Sequence, residues 1–564
     1  MHFFRTRRFS RGREISPDEI LLDSHNLPSF DKDQFEGELE KPIAKHTPLI
    51  LGLCCVLVLT SLALKTATLQ VVYGASFYER SQANTLRFES EFAPRGIIMD
   101  RHSTPLAWNE EQRMYTARPG FGHLLGYLGY PREAEFAAGG YEPKELIGIA
   151  GAELIYGDSL RGKKGKKLVE IDAHGSAQSE AVHVPPVRGD DVVLSIDAEL
   201  EHELYKAIKL FADERDFQGG TGIIMDVHTG ELLAMTNYPE YDSNAFMAGR
   251  DGNNLIANYL QDKRLPFLNR AVQGLYTPGS VVKPFIALAA LEEGVITPEK
   301  KILSTGELRV ANPYDPKRDS IFRDWKAHGW VDMREAIAVS SDIYFYVVGG
   351  GYKGEKGLGI SRVEEWSKRF GFAKPTGSPF SGEPKGVVPN PEWKELNFDG
   401  DPWRVGDTYH TSIGQYGYQV TPMQLVRATA ALANGGKLLH PQIISLDGLP
   451  PSIERTIESK PENIRVVQEG MRMAVRQGTA VGLNVPYVEV AAKTGTAEIG
   501  TTKSYVNSLV VGYFPFDKPR YAFVVLMERG PYANTVGASA AMRHVLDWMA
   551  EHAPNYFEKV DSEW

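Results

Sequence analysis

Apolar and polar positions divide the chain into stretches of unlike pattern. Pro48 to Leu64 is a run of seventeen residues without a charge, at the short end of the roughly 17–25 residues that cross a bilayer as a helix. Leu51–Leu59 within it is apolar on every side, which suits lipid better than a buried helix with one apolar stripe. Thr66 to Val72 can extend the span, and Lys65 can snorkel. From Arg188 the pattern changes. Gly222–Asp226 and Leu232–Asn237 read as strands joined by Val227-His228-Thr229-Gly230, and Ser508–Phe514 with Tyr521–Glu528 as a second hairpin around Pro515–Arg520. Between the hairpins, Val281, Phe285, Leu288 and Leu291 recur at helical spacing with Ala287, Ala289 and Ala290 among them. This predicts a helix from Ser280 to Glu293, following the turn residues Pro278 and Gly279. Val536 to His552 reads as a closing amphipathic helix. Strands at both ends with helices between predict an α/β (α+β) domain, one antiparallel sheet covered by helices.

The organisation expected is a tail over residues 1–46, an anchor over 47–72, a mainly β module over 73–187, the α/β domain over 188–555 and a short tail over 556–564. The first tail mixes both charges with Pro, Ser and Asp and reads as disordered and cytoplasmic. Asp31 to Lys41 within it is either a short helix on the membrane surface or a solvated face. With 47 residues ahead of the apolar run and no clean Ala-x-Ala after it, an uncleaved anchor is expected rather than a signal peptide. Lys32, Lys41 and Lys45 precede the span, and Lys65 and Arg80 follow it, a slight bias that leaves the orientation open. In the 73–187 module nothing assembles a nucleophile, base and oxyanion hole, so it reads as a spacer or docking platform. His123 to Gly129 is strand-like there, and Lys163, Lys164, Lys166 and Lys167 read as a solvated hairpin tip or a contact for an anionic polymer. The formal net charge of -10 argues against a nucleic-acid partner. Cys54 and Cys55, the two cysteines, both lie in the apolar run, which excludes a thiol nucleophile or a cysteine-built zinc site in the large C-terminal region.

Chemistry enters with three short segments. Ser280 and Lys283 sit one turn apart at the start of the expected helix. An amine there can take the hydroxyl proton if its pKa is lowered, and the N–H groups of a helix start are free to hold an oxyanion. Alone, this is equally an N-cap serine beside an exposed lysine. The other two segments are Ser340-Ser341-Asp342, ahead of the aromatic run Ile343 to Tyr346, and Lys493-Thr494-Gly495-Thr496, beside the mostly apolar Val488 to Ala492. Each has a structural reading by itself, the last being a strand that ends in a turn.

Together, in this order, the three resemble the Ser-x-x-Lys, Ser-Asp-Asn and Lys-Thr-Gly set of class A β-lactamases and penicillin-binding proteins, the second being here Ser-x-Asp. Arg95-Gly96-x-Ile98-x-Asp100-Arg101, Asn269-Arg270-Ala271 ahead of Pro278-Gly279-Ser280, and Gly414-Gln415-Tyr416-Gly417 with Val420 to Leu425 resemble further segments of class B penicillin-binding proteins. His123–Gly129, the Ser-x-Asp form, and Arg323-Asp324-Trp325 with His328-Gly329 point within them to the elongation group, penicillin-binding protein 2. The likeness runs from about residue 48 to 550. It implies an N-terminal transmembrane helix, a pedestal of the dimerisation-domain type, and a serine D,D-transpeptidase domain outside the cytoplasmic membrane.

The roles it implies are these. Ser280 attacks a carbonyl and becomes acylated, Lys283 takes its proton, Ser340 relays a proton to the leaving amine, and Asp342 orients the side chains around it. Lys493 adds positive potential that eases Lys283 toward neutrality and attracts a carboxylate. Gly495 admits the substrate backbone, Thr494 or Thr496 holds the carboxylate, and the N–H groups of Ser280 and Thr496 form the oxyanion hole. The implied donor is a peptidoglycan stem peptide ending in D-Ala-D-Ala, with a membrane glycosyltransferase of the RodA type and the elongation machinery as partners, and β-lactams as inhibitors. No cofactor is implied. Relatives can carry zinc on aspartates, a histidine and a cysteine at the middle of Ser-x-Asp. Here that residue is Ser341, and Asp315, Asp319, Asp324 and His328 are left as weak candidates, equally able to cap and pair locally. The alternatives are a β-lactamase, a sensor or non-catalytic scaffold, and a division-specific transpeptidase.

Overall fold

The computed structural model describes residues 46–133, 140–171, 177–312, 317–499, 504–534 and 537–558. The expectations for the N-terminal tail and for Asp315 lie outside these residues. The chain divides into two units, Met1–Phe88 with Leu168–Glu180, and Glu89–Lys167 with Ala181–Trp564.

In the first unit, α1 (Thr47–Ala67) starts with Pro48 in its first turn, where a missing N–H costs nothing. It runs through one π turn to Val72, giving 26 helical residues long and apolar enough to cross a membrane. None of them is buried, and Leu, Val and Ile side chains are exposed all round. The hydroxyls of Thr60, Thr66 and Thr68 donate to the carbonyls of Val56, Leu62 and Leu64 at 2.7, 2.8 and 2.7 Å. A threonine bonded back to its own helix offers no unpaired polar group to lipid.

The second unit contains the expected antiparallel sheet. α2 (Ala198–Glu214) is capped by the Asp197 carboxylate, which accepts from the N–H groups of Glu199 and Leu200. β1 (Gly219–Asp226) and β2 (Leu232–Tyr238) follow as a hairpin, its turn closed by Asp226 Oδ1 on the N–H groups of His228 and Thr229 at 2.8 and 3.0 Å. After α3 (Lys283–Glu292), α4 (Met333–Val339), α5 (Asp342–Gly350) and α6 (Pro422–Ala433) come β3 (Ala491–Ile499), β4 (Tyr505–Phe514), β5 (Tyr521–Pro531) and α7 (Gly537–His552). The sheet order is β2-β1-β5-β4-β3, antiparallel throughout, with β3 at an edge.

Strand residues alternate between two cores, as the period-2 geometry demands. Ile224, Val510, Phe523 and Val525 face Leu200, Leu204, Met542 and Val545 of α2 and α7. Ile223, Leu509, Val524 and Leu526 belong to the core with Phe285, Leu288, Leu425 and Val426 of α3 and α6. Burial on both faces explains why these strands read as continuous apolar runs.

Two expectations change. The helix predicted from Ser280 is a 3-10 turn over Gly279–Val282 that becomes α-helical at Lys283. Pro284 has no N–H to donate back to residue 280, so regular α-helical bonding begins after it. His123–Gly129 is not a continuous strand. Gly122–Leu125 is a helical turn, ended by Gly126 at φ 73, and only Leu128–Gly129 is extended.

That helical turn is held by Glu240, which accepts from the N–H groups of Gly120 and Gly122, the latter at 2.8 Å. Burial pushes the Glu240 carboxyl up to about 8, against the pull of those two N–H groups. Between the ordinary value of 4.5 and 8 the folded chain keeps a proton that the unfolded chain loses. Its contribution to stability is complete below pH 4.5 and is lost as pH rises through 8, with a slope of at most about 1.4 kcal/mol per pH unit. Glu240→Gln is therefore expected to narrow the fall in Tm between pH 5 and pH 8 by a few degrees. An unchanged fall would show that Glu240 is ionised in the fold.

Elsewhere in this unit the Arg95–Arg101 segment is a structural clamp. Glu153, fully buried, pairs with Arg95 at 2.9 Å and Arg113 at 2.6 Å. Asp100 accepts from the N–H groups of His102, Thr104 and Ala198, tying this turn to the start of α2.

Candidate active site

Ser280 lies on the 3-10 turn, and Lys283 opens the α-helix one turn later. Among the described residues the Ser280 hydroxyl makes no hydrogen bond, and the side chain is half-buried. Two close backbone approaches hold the turn. A Cβ on Gly495 of β3 would lie 2.8 Å from the Pro278 carbonyl and 2.9 Å from Val281 Cγ1. The Gly279 N–H donates to the Gly414 carbonyl at 2.9 Å. Gly414 has φ +75, and a Cβ there would sit 2.2 Å from the Gly279 carbonyl oxygen. Only glycine allows backbone to meet backbone in this way. Because β3 is an edge strand, part of its N–H groups are outside the ladder.

Ser340 and Asp342 come from a helix junction. α4 begins with a reciprocal capping box, Asp332 and Glu335, and ends at Ser340 in the left-handed region at φ 59 and ψ 42. A non-glycine residue there is a local cost borne by its surroundings. Ser341 then caps α5, its hydroxyl accepting from the Tyr344 N–H at 3.3 Å. Asp342 falls in the first turn of α5, where the positive helix end favours a carboxylate.

The junction carries its side chains to Lys283. Lys283 Nζ, fully buried, donates to Asp342 Oδ1 at 2.6 Å, the Ser340 carbonyl at 2.8 Å and Ser340 Oγ at 3.2 Å. The Phe345 ring lies 5.5 Å from the same nitrogen. Lys493, from β3 and also fully buried, reaches Ser340 Oγ at 2.9 Å and the Thr494 carbonyl at 2.8 Å. Ser340 Oγ thus stands between two amines. Burial pushes Lys493 well below the usual lysine range, the charge on Lys283 pushes it further, and Asp342 pulls the other way. Thr494 Oγ1 donates to Thr479 Oγ1 at 2.7 Å, whereas the exposed Thr496 side chain has no partner among the described residues.

The fold and this site have known counterparts. Residues 220–547 match the penicillin binding protein transpeptidase domain, and residues 109–194 the penicillin-binding protein dimerisation domain. The chain belongs to the penicillin-binding protein transpeptidase family. It is 33% identical over 465 residues to the peptidoglycan D,D-transpeptidase MrdA of Acinetobacter baumannii, an alignment covering 77% of this chain and 66% of that protein's length. PBP2 of Pseudomonas aeruginosa superposes with a TM-score of 0.70 at 31% identity, covering 84% of this chain and all of that one. A chain of a peptidoglycan synthase complex that couples polymerization and crosslinking superposes with a TM-score of 0.70 at 28% identity, covering 92% of this chain and all of that one.

In this penicillin-binding protein the zinc candidates make a hydrogen-bonded joint. Asp324 Oδ2 accepts from Ser341 Oγ at 2.8 Å, Ser304 Oγ at 3.1 Å and the Ile343 N–H at 3.1 Å, and Oδ1 accepts from the Trp325 N–H at 2.9 Å. His328 Nε2 is 3.5 Å from Asp324 Oδ1, and Asp319 is exposed. His328 Nε2 is buried without a hydrogen-bond partner, but Asp324 Oδ2 is already taken by three donors and a hydroxyl stands in place of a thiolate, a set that does not fit a zinc centre. Among the described residues no three His, Cys, Asp or Glu side chains are placed to hold a metal ion.

Sequence reasoning did not assign site roles to Phe345, Gly414 or Trp325. Trp325 Nε1 donates to the Ser340 carbonyl at 3.3 Å, while the residue itself is 61% exposed. An exposed tryptophan beside the buried Ser340 segment was a usable signal only once the two were adjacent in space.

Proposed function

We propose that this chain is a peptidoglycan D,D-transpeptidase of cell-wall elongation that works through an acyl-enzyme on Ser280. The observation that carries the reading is Ser340 Oγ, held 3.2 Å from Lys283 Nζ and 2.9 Å from Lys493 Nζ beside the Ser280 turn. Lys283 takes the hydroxyl proton as Ser280 Oγ attacks the carbonyl of the penultimate D-alanine. The backbone N–H groups of Ser280 and Thr496 stabilise the oxyanion. Ser340 passes a proton to the departing D-alanine amine as the C–N bond breaks. The side-chain amine of a neighbouring stem then attacks the ester, forms the cross-link and frees Ser280. The exposed Thr496 side chain receives the terminal carboxylate of the donor, whereas Lys493, buried and pushed toward the neutral form, does not supply the positive potential expected of it.

The elongation assignment rests on the likeness to MrdA and PBP2. The α1 helix anchors the protein in the cytoplasmic membrane with residues 73–564 outside. A RodA-type glycosyltransferase supplies glycan strands, in keeping with the likeness to a chain of a synthase complex. A non-catalytic scaffold needs no such set of two lysines about one hydroxyl.

The test is intact mass of the full chain in detergent after exposure to benzylpenicillin, followed by peptide mapping. One adduct per chain is expected, slow to hydrolyse and confined to the peptide containing Ser280. No adduct on folded protein, or an adduct elsewhere, would sink the assignment, and rapid drug turnover would indicate a β-lactamase. Gly414→Ala is expected to slow adduct formation by about 100-fold or more, because displacement of the Gly279 carbonyl moves the neighbouring nucleophile by a sizeable fraction of an ångström. A wild-type rate in that variant would show that the turn adjusts without moving Ser280.

A further inference from the structure

A cavity of about 420 Å³ lies away from the Ser280 site where His123, Tyr127 and residues 150–155 meet residues 241–273 and Phe380–Ser381. Its wall is aromatic. Tyr127 stacks on Phe246 with ring centres 3.5 Å apart and planes within 7°, and Tyr241 stacks on Phe267 at 5.2 Å. His123 meets Tyr241 edge-on at 4.9 Å.

Two polar groups in this wall are unanswered. His123 is only 6% exposed; the Pro266 and Phe267 backbone lies beside its ring, and neither ring nitrogen completes a well-formed hydrogen bond there. A buried imidazole with so little of its bonding capacity used calls for an explanation. Its ring stays neutral, since burial and the nearby Arg270 charge push it down to about 3. A neutral imidazole has one N–H donor and one acceptor nitrogen to offer. Asn269, also in the wall, spends its Oδ1 on Asn237 Nδ2 at 3.2 Å, and its own amide N–H groups have no partner among the described residues. Among the described residues no carboxylate or free cation lines the cavity, and Arg270, behind it, is engaged by Glu528 at 2.6 Å. A charged ligand would therefore enter without a counter-charge. Stacked rings, a few placed polar groups and this volume are the usual composition of a small-molecule site.

We propose that this cavity is a binding site for a small, uncharged aromatic molecule carrying a planar amide or equivalent donor–acceptor pair, gripped by the rings of Tyr127, Tyr241, Phe246 and Phe267 and by His123 and Asn269. A carbonyl oxygen of such a ligand accepts from the Asn269 amide. Its N–H donates to the free imidazole nitrogen of His123.

The probe is benzamide, with the full chain in detergent, read by saturation-transfer NMR and titration. Benzamide is expected to bind with a Kd of about 1 mM or tighter. Benzylammonium, of similar shape but charged, and cyclohexanecarboxamide, without the ring, are each expected to bind at least tenfold more weakly. His123→Phe keeps the packing and removes both nitrogens, and is expected to weaken benzamide at least tenfold. Ile256→Trp fills the cavity from a half-buried wall position and is expected to abolish transfer, which preserves the test if His123→Phe does not fold. Absence of transfer to benzamide on the wild type, equal binding of the three probes, or undiminished binding in a folded Ile256→Trp variant would each overturn the proposal.

Discussion

Replacing Ser280 with alanine is expected to abolish the benzylpenicillin adduct while leaving Tm within about 2 °C of wild type. The chemical half of this follows from the site. No other hydroxyl shares the 3-10 turn packed between Gly414 and Gly495, and the nearby Ser340 hydroxyl is held by two amines. The structural half follows from the bonds. Ser280 Oγ makes none among the described residues, so its loss leaves no partner unpaired. Substitutions of that kind usually stay within about 0.5 kcal/mol. Intact mass and thermal unfolding on the same sample check both halves. A residual adduct in Ser280→Ala would move the nucleophile to another residue. A large loss of Tm would mean that the turn depends on a contact of the serine.

The second large effect is expected at Lys283. Lys283→Met should lower the rate constant for acylation by about 100- to 10,000-fold, the usual worth of a positioned base. Loss of charge alone would give a similar result, so Lys283→Arg is the deciding variant. Arginine keeps the cation that Asp342 binds at 2.6 Å, but its guanidinium does not give up a proton at accessible pH. A base at this position predicts that arginine fails as methionine does. Substantial rescue by arginine would assign Lys283 an electrostatic role and transfer the base to another group. Lys493 is the natural alternative, because burial already pushes it toward the neutral form and Ser340 Oγ connects it to Lys283. Methionine also removes the charge that opposes protonation of Lys493, so the pKa of Lys493 should rise in Lys283→Met. An ion pair broken in the interior is destabilising, but Asp342 remains partly exposed and near Lys493. The variant is therefore expected to fold, and circular dichroism beside the rate measurement checks this.

Much of the architecture was legible in the pattern of residues. The two hairpins were readable because strands buried on both faces are unbroken apolar runs, and Asp226 marks a tight turn. The long helix near the N-terminus was readable because its side chains are apolar on all sides. The boundary at Ser280 was misplaced because apolar spacing does not register the missing N–H of Pro284. The turn at Gly122–Leu125 was missed because its N–H groups are satisfied by Glu240, over a hundred residues away.

At the candidate site the division is similar. The sequence by itself determined which groups are available: Ser280 one turn before Lys283, Ser340 and Asp342 two residues apart, Lys493 in an apolar stretch ahead of Gly495, and an apolar helix near the N-terminus. Local spacing and residue chemistry suffice for that much. Only the tertiary structure decided that Ser340 turns left-handed between two helices and brings its hydroxyl between two buried amines. It also decided that Lys493 is the amine whose charge burial opposes, that Thr494 bonds to Thr479 and leaves Thr496 exposed, and that Asp324 fills its lone pairs with hydroxyl and amide donors. Each of these depends on desolvation and on partners distant in the chain, which the order of residues does not encode locally.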